Sequence, residues 1–245
     1  MHRTALIIQA RMGSSRLPGK SMMELHGEPL VGRILERVKR CQKIDEIVLA
    51  IPDNESNLIL RDLGENYGVK VFLGSESNVL ERYFNAAKEF AADYVVRLPA
   101  DNPVPEAIEI DKIINYHINL KRKGFSSNLA EINNSGYPDG IGAEVFDFSI
   151  LKDAIKKCPG PEKREHVHLN FYNYLTKKAV DINWCPINTL KCPKAYRRPD
   201  LILDVNTIEQ FKFMQKLYDY LYPRNPEFTI MDIIKWHDNI YLLEK

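Results

Sequence analysis

Four short apolar runs alternate with amphipathic stripes over the first hundred residues, and this alternation constrains the fold more than any other feature of the chain. Ala5-Leu6-Ile7-Ile8, EIVLAI (Glu46 to Ile51), VKVFL (Val69 to Leu73) and YVVRLPA (Tyr94 to Ala100) each read as a strand buried on both faces. Between them, Val31, Ile34, Leu35 and Val38 recur at i, i+3, i+4 and i+7 in a helix beginning near Leu30. Leu58, Ile59 and Leu63 are expected to face inward from a second helix, and Leu80, Tyr83, Phe84, Ala87 and Ala91 from a third. Arg33, Arg37, Lys39 and Arg40 lie off the first stripe, where solvation explains them. Strand and helix at this spacing imply right-handed crossovers, hence an α/β fold with a mostly parallel sheet flanked by helices.

From Gly124 the alternation stops. Pro138-Asp139-Gly140 marks a turn before a strand in GAEVF, and Ser149 is the expected cap of a helix running to about Lys157. A further helix carries Arg164, Glu165 and His166, while VDINWCPI (Val180 to Ile187) and LILDV (Leu201 to Val205) read as strands. Asn206 and Glu209 fit a capping box ahead of a helical stripe at Phe211, Met214, Leu217, Tyr218 and Leu221. A short helix is expected near Ile230 to Trp236. Residues 124–195 therefore read as an inserted α+β region covering the sheet edge, within a single domain spanning 1–245.

The candidate site begins where the first strand ends. Gln9 to Lys20, QARMGSSRLPGK, places Arg11, Arg16 and Lys20 with Gly13, Gly19, Ser14 and Ser15 in one loop. Glycines let backbone N–H groups converge on an anion, and guanidinium forks with an ammonium neutralise phosphate oxygens. The competing reading is a surface loop with solvated charges. Position favours phosphate, because ligands of open α/β sheets collect at the carboxyl ends of strands. Asp101 follows the fourth strand at that same edge, where it could supply a hard oxygen to Mg²⁺ or merely cap a turn. Asp204 and Asn206 are two apart and would point the same way from an extended segment, though Asn206 could equally be an N-cap.

Composition removes several function classes. A formal charge of +1 argues against general nucleic-acid binding. The start, MHRTALIIQA, has too short an apolar run for a signal peptide and no later run reaches membrane length, so a cytoplasmic protein is expected. Cys41, Cys158, Cys185 and Cys192 match no common zinc spacing and read as buried thiols. His166 and His168 alternate in a helical context, so they are not expected to share a metal.

The loop ARMGSSRLPGK resembles that of the cytidylyltransferases that make CMP-activated acidic sugars, including CMP-Kdo and CMP-acylneuraminate synthetases, and is closer still to their SpsF-like spore-coat polysaccharide branch. SNVLERY, RLPADNP, YPDGIGAEVF, REHV and RPDLILDVNT extend the resemblance in order along the chain. It implies a nucleotide-diphospho-sugar transferase fold, a Rossmann variant like that of GT-A enzymes, and a homodimer formed through the inserted region. It implies that Arg11, Arg16 and Lys20 hold the phosphates of CTP, with Gln9, Ala10, Gly13, Ser14, Ser15 and Asn78 completing the nucleotide site. Asp101, with Asp204 and Asn206, would bind Mg²⁺, and Arg97, Tyr137, Glu144, Arg164 and His166 would face the acceptor. Two departures stand out. Pro99 and Ala100 replace the threonine and glycine usual before the first aspartate, and Asn206 stands where the second metal-binding aspartate usually does, with Asp204 one pleat earlier. The implied reaction is transfer of CMP from CTP with release of pyrophosphate. The alternatives are a glycosyltransferase using a nucleotide-sugar donor and a catalytically silent nucleotide-binding relative.

Overall fold

The computed structural model of the chain describes residues 2–129, 135–157, 160–173 and 175–244. The first half runs β1 (Thr4–Gln9), a small hairpin of β2 (Glu24–Leu25) and β3 (Glu28–Pro29), α1 (Leu30–Val38), β4 (Glu46–Pro52), α2 (Leu58–Asn66), β5 (Lys70–Gly74), α3 (Val79–Glu89), β6 (Tyr94–Pro99) and α4 (Ala107–Asn119). There follow β7 (Phe125–Ser127), β8 (Glu144–Asp147), α5 (Phe148–Lys157), α6 (Pro161–Glu165), β9 (Tyr172–Asn173), β10 (Lys178–Ala179), β11 (Ile187–Thr189), α7 (Ile208–Leu221) and α8 (Ile230–Asn239). The main sheet has the order β11-β7-β8-β6-β1-β4-β5. Pairing is parallel except on either side of β8, which runs antiparallel to β6 and β7. Three strands from 124–195 thus continue the sheet beyond β6.

Each face of the sheet carries its own core. Leu6, Ile8, Leu49 and Val96 turn toward α1, α4, α7 and α8. Ala5, Ile7, Val48 and Val95 turn toward α3 and α5. This parity follows from alternation along each strand, and it also aims Arg97 and Glu144, neighbours in register across β6 and β8, onto the α3 face. No described helix is long and apolar enough to cross a membrane.

Several local expectations need correction. Arg33 and Arg37 are only 2% and 4% exposed. Arg33 Nε donates to the Leu25 carbonyl at 2.9 Å and its guanidinium lies 3.9 Å from the Tyr222 ring, while Arg37 donates to the carbonyls of Pro105 and Phe228 at 3.0 and 3.1 Å. The hairpin and the C-terminal helices fold over what would otherwise be the outer face of α1. Within α2, Leu60 is buried and Ile59 exposed, so the helix faces the core one residue later than the stripe suggests. Ala91 has φ of 53°, and α3 stops at Glu89. Most of VDINWCPI is a turn, because the Asp181 carboxylate accepts from the backbone N–H groups of Asn183 and Trp184. LILDV alternates buried and exposed side chains but makes only an isolated bridge, Ile202 with Asp139. The capping box of α7 is Thr207 with Gln210, one residue beyond the expected pair. Ser149 caps nothing: α5 starts before it and its hydroxyl is buried without a partner. Beyond α6, His166 leaves the helix and residues 167–170 form a single 3₁₀ turn. Cys185 and Cys192 are buried and Cys41 half-buried, as expected, while Cys158 lies outside the described residues.

The junction of β7 and β8 depends on Asn128, whose Oδ1 accepts from Ala143 N and whose Nδ2 donates to the Glu109 carbonyl, both at 2.9 Å. A Cβ on Gly142 would stand 2.4 Å from that Oδ1 and 2.7 Å from the Asn128 carbonyl oxygen. Gly142→Ala is therefore expected to cost about 2 kcal/mol. In thermal unfolding this should appear as a fall in Tm of roughly 4–8 °C. An unchanged Tm would mean that the junction relaxes freely.

Candidate active site

The loop after β1 is fixed by its own backbone. Ser14 N and Gly19 N both donate to the Met12 carbonyl, at 3.0 and 2.9 Å, and Met12 N donates to Oδ1 of Asn57, a residue 1% exposed. Gly19 closes the turn with φ of 72°, a conformation that favours glycine. Ser21 Oγ donates to the Arg11 carbonyl at 3.1 Å, so the loop is held from both ends. Arg16 is exposed at its crest and Lys20 is buried at its base.

Lys20 joins the loop to the other side of the sheet edge. Its ammonium donates to Asp101 Oδ2 at 3.3 Å, the Val205 carbonyl at 2.6 Å and Asn206 Oδ1 at 3.4 Å. Those contacts occupy all three of its donors. Val205 N donates to the Asp101 carbonyl at 2.7 Å, which ties the segment before α7 to the end of β6. Asp204 accepts from the Asn206 amide and from Gln210 Nε2. Burial holds its carboxyl above the ordinary range and the Asp101 charge adds to this, while Lys20 and Arg16 pull the other way. A half-buried carboxylate with a second carboxylate nearby is suited to a divalent cation. Among the described residues no group of three His, Cys, Asp or Glu could hold a metal ion. Asp101 and Asp204, two carboxylates lining one cavity with a cationic loop, fit Mg²⁺, which takes one or two carboxylates and fills its shell with phosphate oxygens and water.

Arg16, Lys20, Asp101 and Asp204 line a cavity of about 450 Å³ together with Gln9, Ala10, Arg11, Ser14, Ser15, Arg97, Glu144 and His166. On its far wall Arg97 Nη1 donates to Glu144 Oε2 at 2.8 Å, a buried pair that satisfies each charge. Oε1 of Glu144 and Oε1 of Gln9 are buried without a partner and remain available to a ligand's donors. From α6, Glu165 accepts from Arg11 Nη2 at 2.8 Å, and that hydrogen bond holds its carboxyl below the ordinary range. Burial, with the charges of Arg97 and His166, lowers His168 to about 2, so its imidazole is neutral at physiological pH.

Not every expected residue reaches this cavity. Asn206 lies just outside, its amide bridging Lys20 and Asp204, and Gly13 is an exposed backbone position. Tyr137 is buried in the core, its hydroxyl donating to Glu109 Oε2 at 2.8 Å. Asn78 is the N-cap of α3, its side chain accepting from Glu81 N, and it lines a second cavity of about 390 Å³ with Arg164. Consecutive helical residues point about 100° apart, and in α6 Glu165 lines the main cavity while Arg164 lines the second one. Conversely, Arg82, Glu165, His168 and Asp139 line the main cavity without having been singled out. Arg82 carried a signal: Val79, Arg82, Tyr83 and Ala86 follow the helical period, which sets an arginine inside an apolar stripe.

Known proteins place this architecture. Residues 5–221 match the sequence profile of a family described as Cytidylyltransferase. The chain is 30% identical over 223 residues to the spore coat polysaccharide biosynthesis protein SpsF of Bacillus subtilis, covering 89% of this chain and 87% of that protein. It is 37% identical over 113 residues to a 3-deoxy-manno-octulosonate cytidylyltransferase of an Anaeromyxobacter species, covering 44% and 46%. The solved structure of a cytidylyltransferase from Leptospira borgpetersenii superposes with a TM-score of 0.87 at 25% identity, over 100% of this chain and 98% of that one. On a profile that spans nearly the whole sheet and its site, the chain belongs to the cytidylyltransferase family and is a CTP-dependent enzyme.

Proposed function

We propose that this enzyme transfers CMP from CTP to an oxygen of an acidic sugar, a sugar-like molecule, or a phosphate or phosphonate, releasing pyrophosphate during surface polysaccharide or glycan synthesis. The observation that carries this reading is the cluster at Lys20, where the cationic loop and the Asp101 and Asp204 carboxylates meet in one cavity. The names of the relatives support the acceptor class: one belongs to spore coat polysaccharide biosynthesis and one acts on 3-deoxy-manno-octulosonate. A homodimer through 124–195 belongs to the same reading, supported by the exposed Leu175, Val180 and Ile182 in that region.

In this mechanism the triphosphate lies along the loop, with Arg11 and Arg16 neutralising it and Ser14 and Ser15 beside the nucleoside. The acceptor enters along the Arg97–Glu144 wall, where the orphan Glu144 Oε1 takes a hydroxyl proton donor and fixes its orientation. Its oxygen attacks the α-phosphorus in line, a hydroxyl acceptor giving up its proton to water, the bond to the β-phosphate oxygen breaks, and negative charge grows on pyrophosphate against the loop cations. Mg²⁺, which Asp101 and Asp204 would hold, supplies further charge neutralisation and orientation of the phosphates. Lys20 keeps those two carboxylates close together by screening them. No nucleophilic side chain is required.

Two measurements test this. CTP with Mg²⁺ at 100 times its dissociation constant should stabilise the fold by about 2.7 kcal/mol, and incubation with a competent acceptor should release pyrophosphate. Stabilisation by intact nucleotide-sugars in preference to CTP would refute the reading. The second measurement uses Asp204, whose raised folded pKa means that ionisation costs stability. That contribution is favourable below the ordinary carboxylate pKa of about 3.9 and is lost as pH rises through the raised value. Asp204→Asn should therefore hold or raise Tm at pH 7, with less gain near pH 4, while turnover falls roughly 10²-fold or more. A variant that keeps full turnover would remove Asp204 from the site.

A further inference from the structure

Among the described residues four arginines are buried, and three of them have a carboxylate partner. Arg33 pairs with Glu36 at 2.8 Å, Arg37 with Glu106 at 3.5 Å and Arg97 with Glu144 at 2.8 Å. Arg82, 2% exposed, makes no ion pair among the described residues. Its Nη1 donates to the Ser75 carbonyl at 2.6 Å, while its Nε–H is buried without any acceptor. Burying a guanidinium without a counter-charge is among the most expensive arrangements in a fold.

The surroundings make the imbalance worse. Arg82 lines the main cavity beside Arg11, and Glu76 is an acid felt only at longer range. Burial lowers Arg82 to about 10, and the Arg11 charge pushes in the same direction. Arg11 has Glu165 as its own partner at 2.8 Å, bonded through Nη2. The chain nevertheless makes room for this side chain: Gly74 ends β5 where an added Cβ would stand 3.1 Å from Arg82 Cγ. A buried cation that faces a cavity, has no counter-charge among the described residues and sits next to a second guanidinium is suited to an anion from outside the chain.

We infer that Arg82 is a substrate-binding residue whose guanidinium takes its counter-charge from a phosphate group of the bound nucleotide, which it grips together with Arg11. The inference rests on the reading of this cavity as a CTP site. Arg82 lines the same cavity as Arg11, Ser14 and Ser15 of the cationic loop, and the other buried arginine there, Arg97, already has its charge matched by Glu144. A planar fork with a free Nε–H suits two oxygens of one phosphate.

The test compares wild type with Arg82→Met, which keeps the stem and removes the charge, and Arg82→Lys, which keeps the charge and removes the fork. Calorimetric titration with CTP, CMP and tripolyphosphate in Mg²⁺ buffer is read alongside the Tm of each ligand-free protein. Arg82→Met should bind CTP at least about tenfold more weakly, with a ligand-free Tm equal to or above that of wild type, because an uncompensated buried charge is gone. Arg82→Lys should fall between the two and serves as the reading if Arg82→Met does not fold. Loss for tripolyphosphate with CMP spared assigns the β- or γ-phosphate, and loss for CMP assigns the α-phosphate. CTP affinity within about twofold of wild type in both variants overturns the inference and makes Arg82 structural. Wild type that binds tripolyphosphate but not CTP overturns the cytidylyltransferase reading instead, and the Arg82 comparison then stands on tripolyphosphate alone.

Discussion

The site depends on one ammonium group. Lys20 belongs to the loop after β1, yet its three partners lie 81, 185 and 186 residues further along the chain. Without that positive charge, the Asp101 and Asp204 carboxylates would face each other at a partly buried sheet edge, where repulsion is poorly screened. With it, three separate segments close into one wall. The neighbouring Val205 to Asp101 backbone hydrogen bond reinforces the closure and limits how far the carboxylates can separate. A single buried cation thus connects the fold of the C-terminal third with the chemistry of the first loop.

Charge pairing organises the rest of the interior in a similar way. Arg33 and Arg37 hold the C-terminal helices to α1 through backbone carbonyls and aromatic rings, and Arg97 with Glu144 fixes the antiparallel extension of the sheet. In each case a charge that would destabilise an apolar core alone becomes a directional tie once it is matched. The reversal of β8 matters here. The antiparallel register of β8 against β6 sets Glu144 directly opposite Arg97.

The legible parts of the fold were those governed by short-range periodicity. β1, β4, β5 and β6, with α1, α3 and α7, follow directly from apolar runs and stripes, and the cationic, glycine-containing loop after β1 is recognisable from residue types alone. Failures occurred where a side chain satisfied the backbone locally or where a distant segment changed the environment. Asp181 turns VDINWCPI away from the sheet through two hydrogen bonds within three residues. Asn78 and Arg164 belong to motifs that resemble site sequences, yet Asn78 caps α3 and both line another cavity. Tyr137 faces Glu109 in the core, which no pattern near residue 137 announces.

What the sequence determined by itself was the architecture and the first loop, because both arise from interactions within a few residues: strand burial, helical period, glycine turns and clustered charge. Only the tertiary structure decided which charges are matched. Arg82 and Arg37 are each an arginine in an amphipathic helix when read along the chain. One finds Glu106 across the core, and the other finds no carboxylate among the described residues. That difference lies in through-space distance between segments far apart in sequence, and Coulomb energy in a poorly screened interior depends on that distance and on burial.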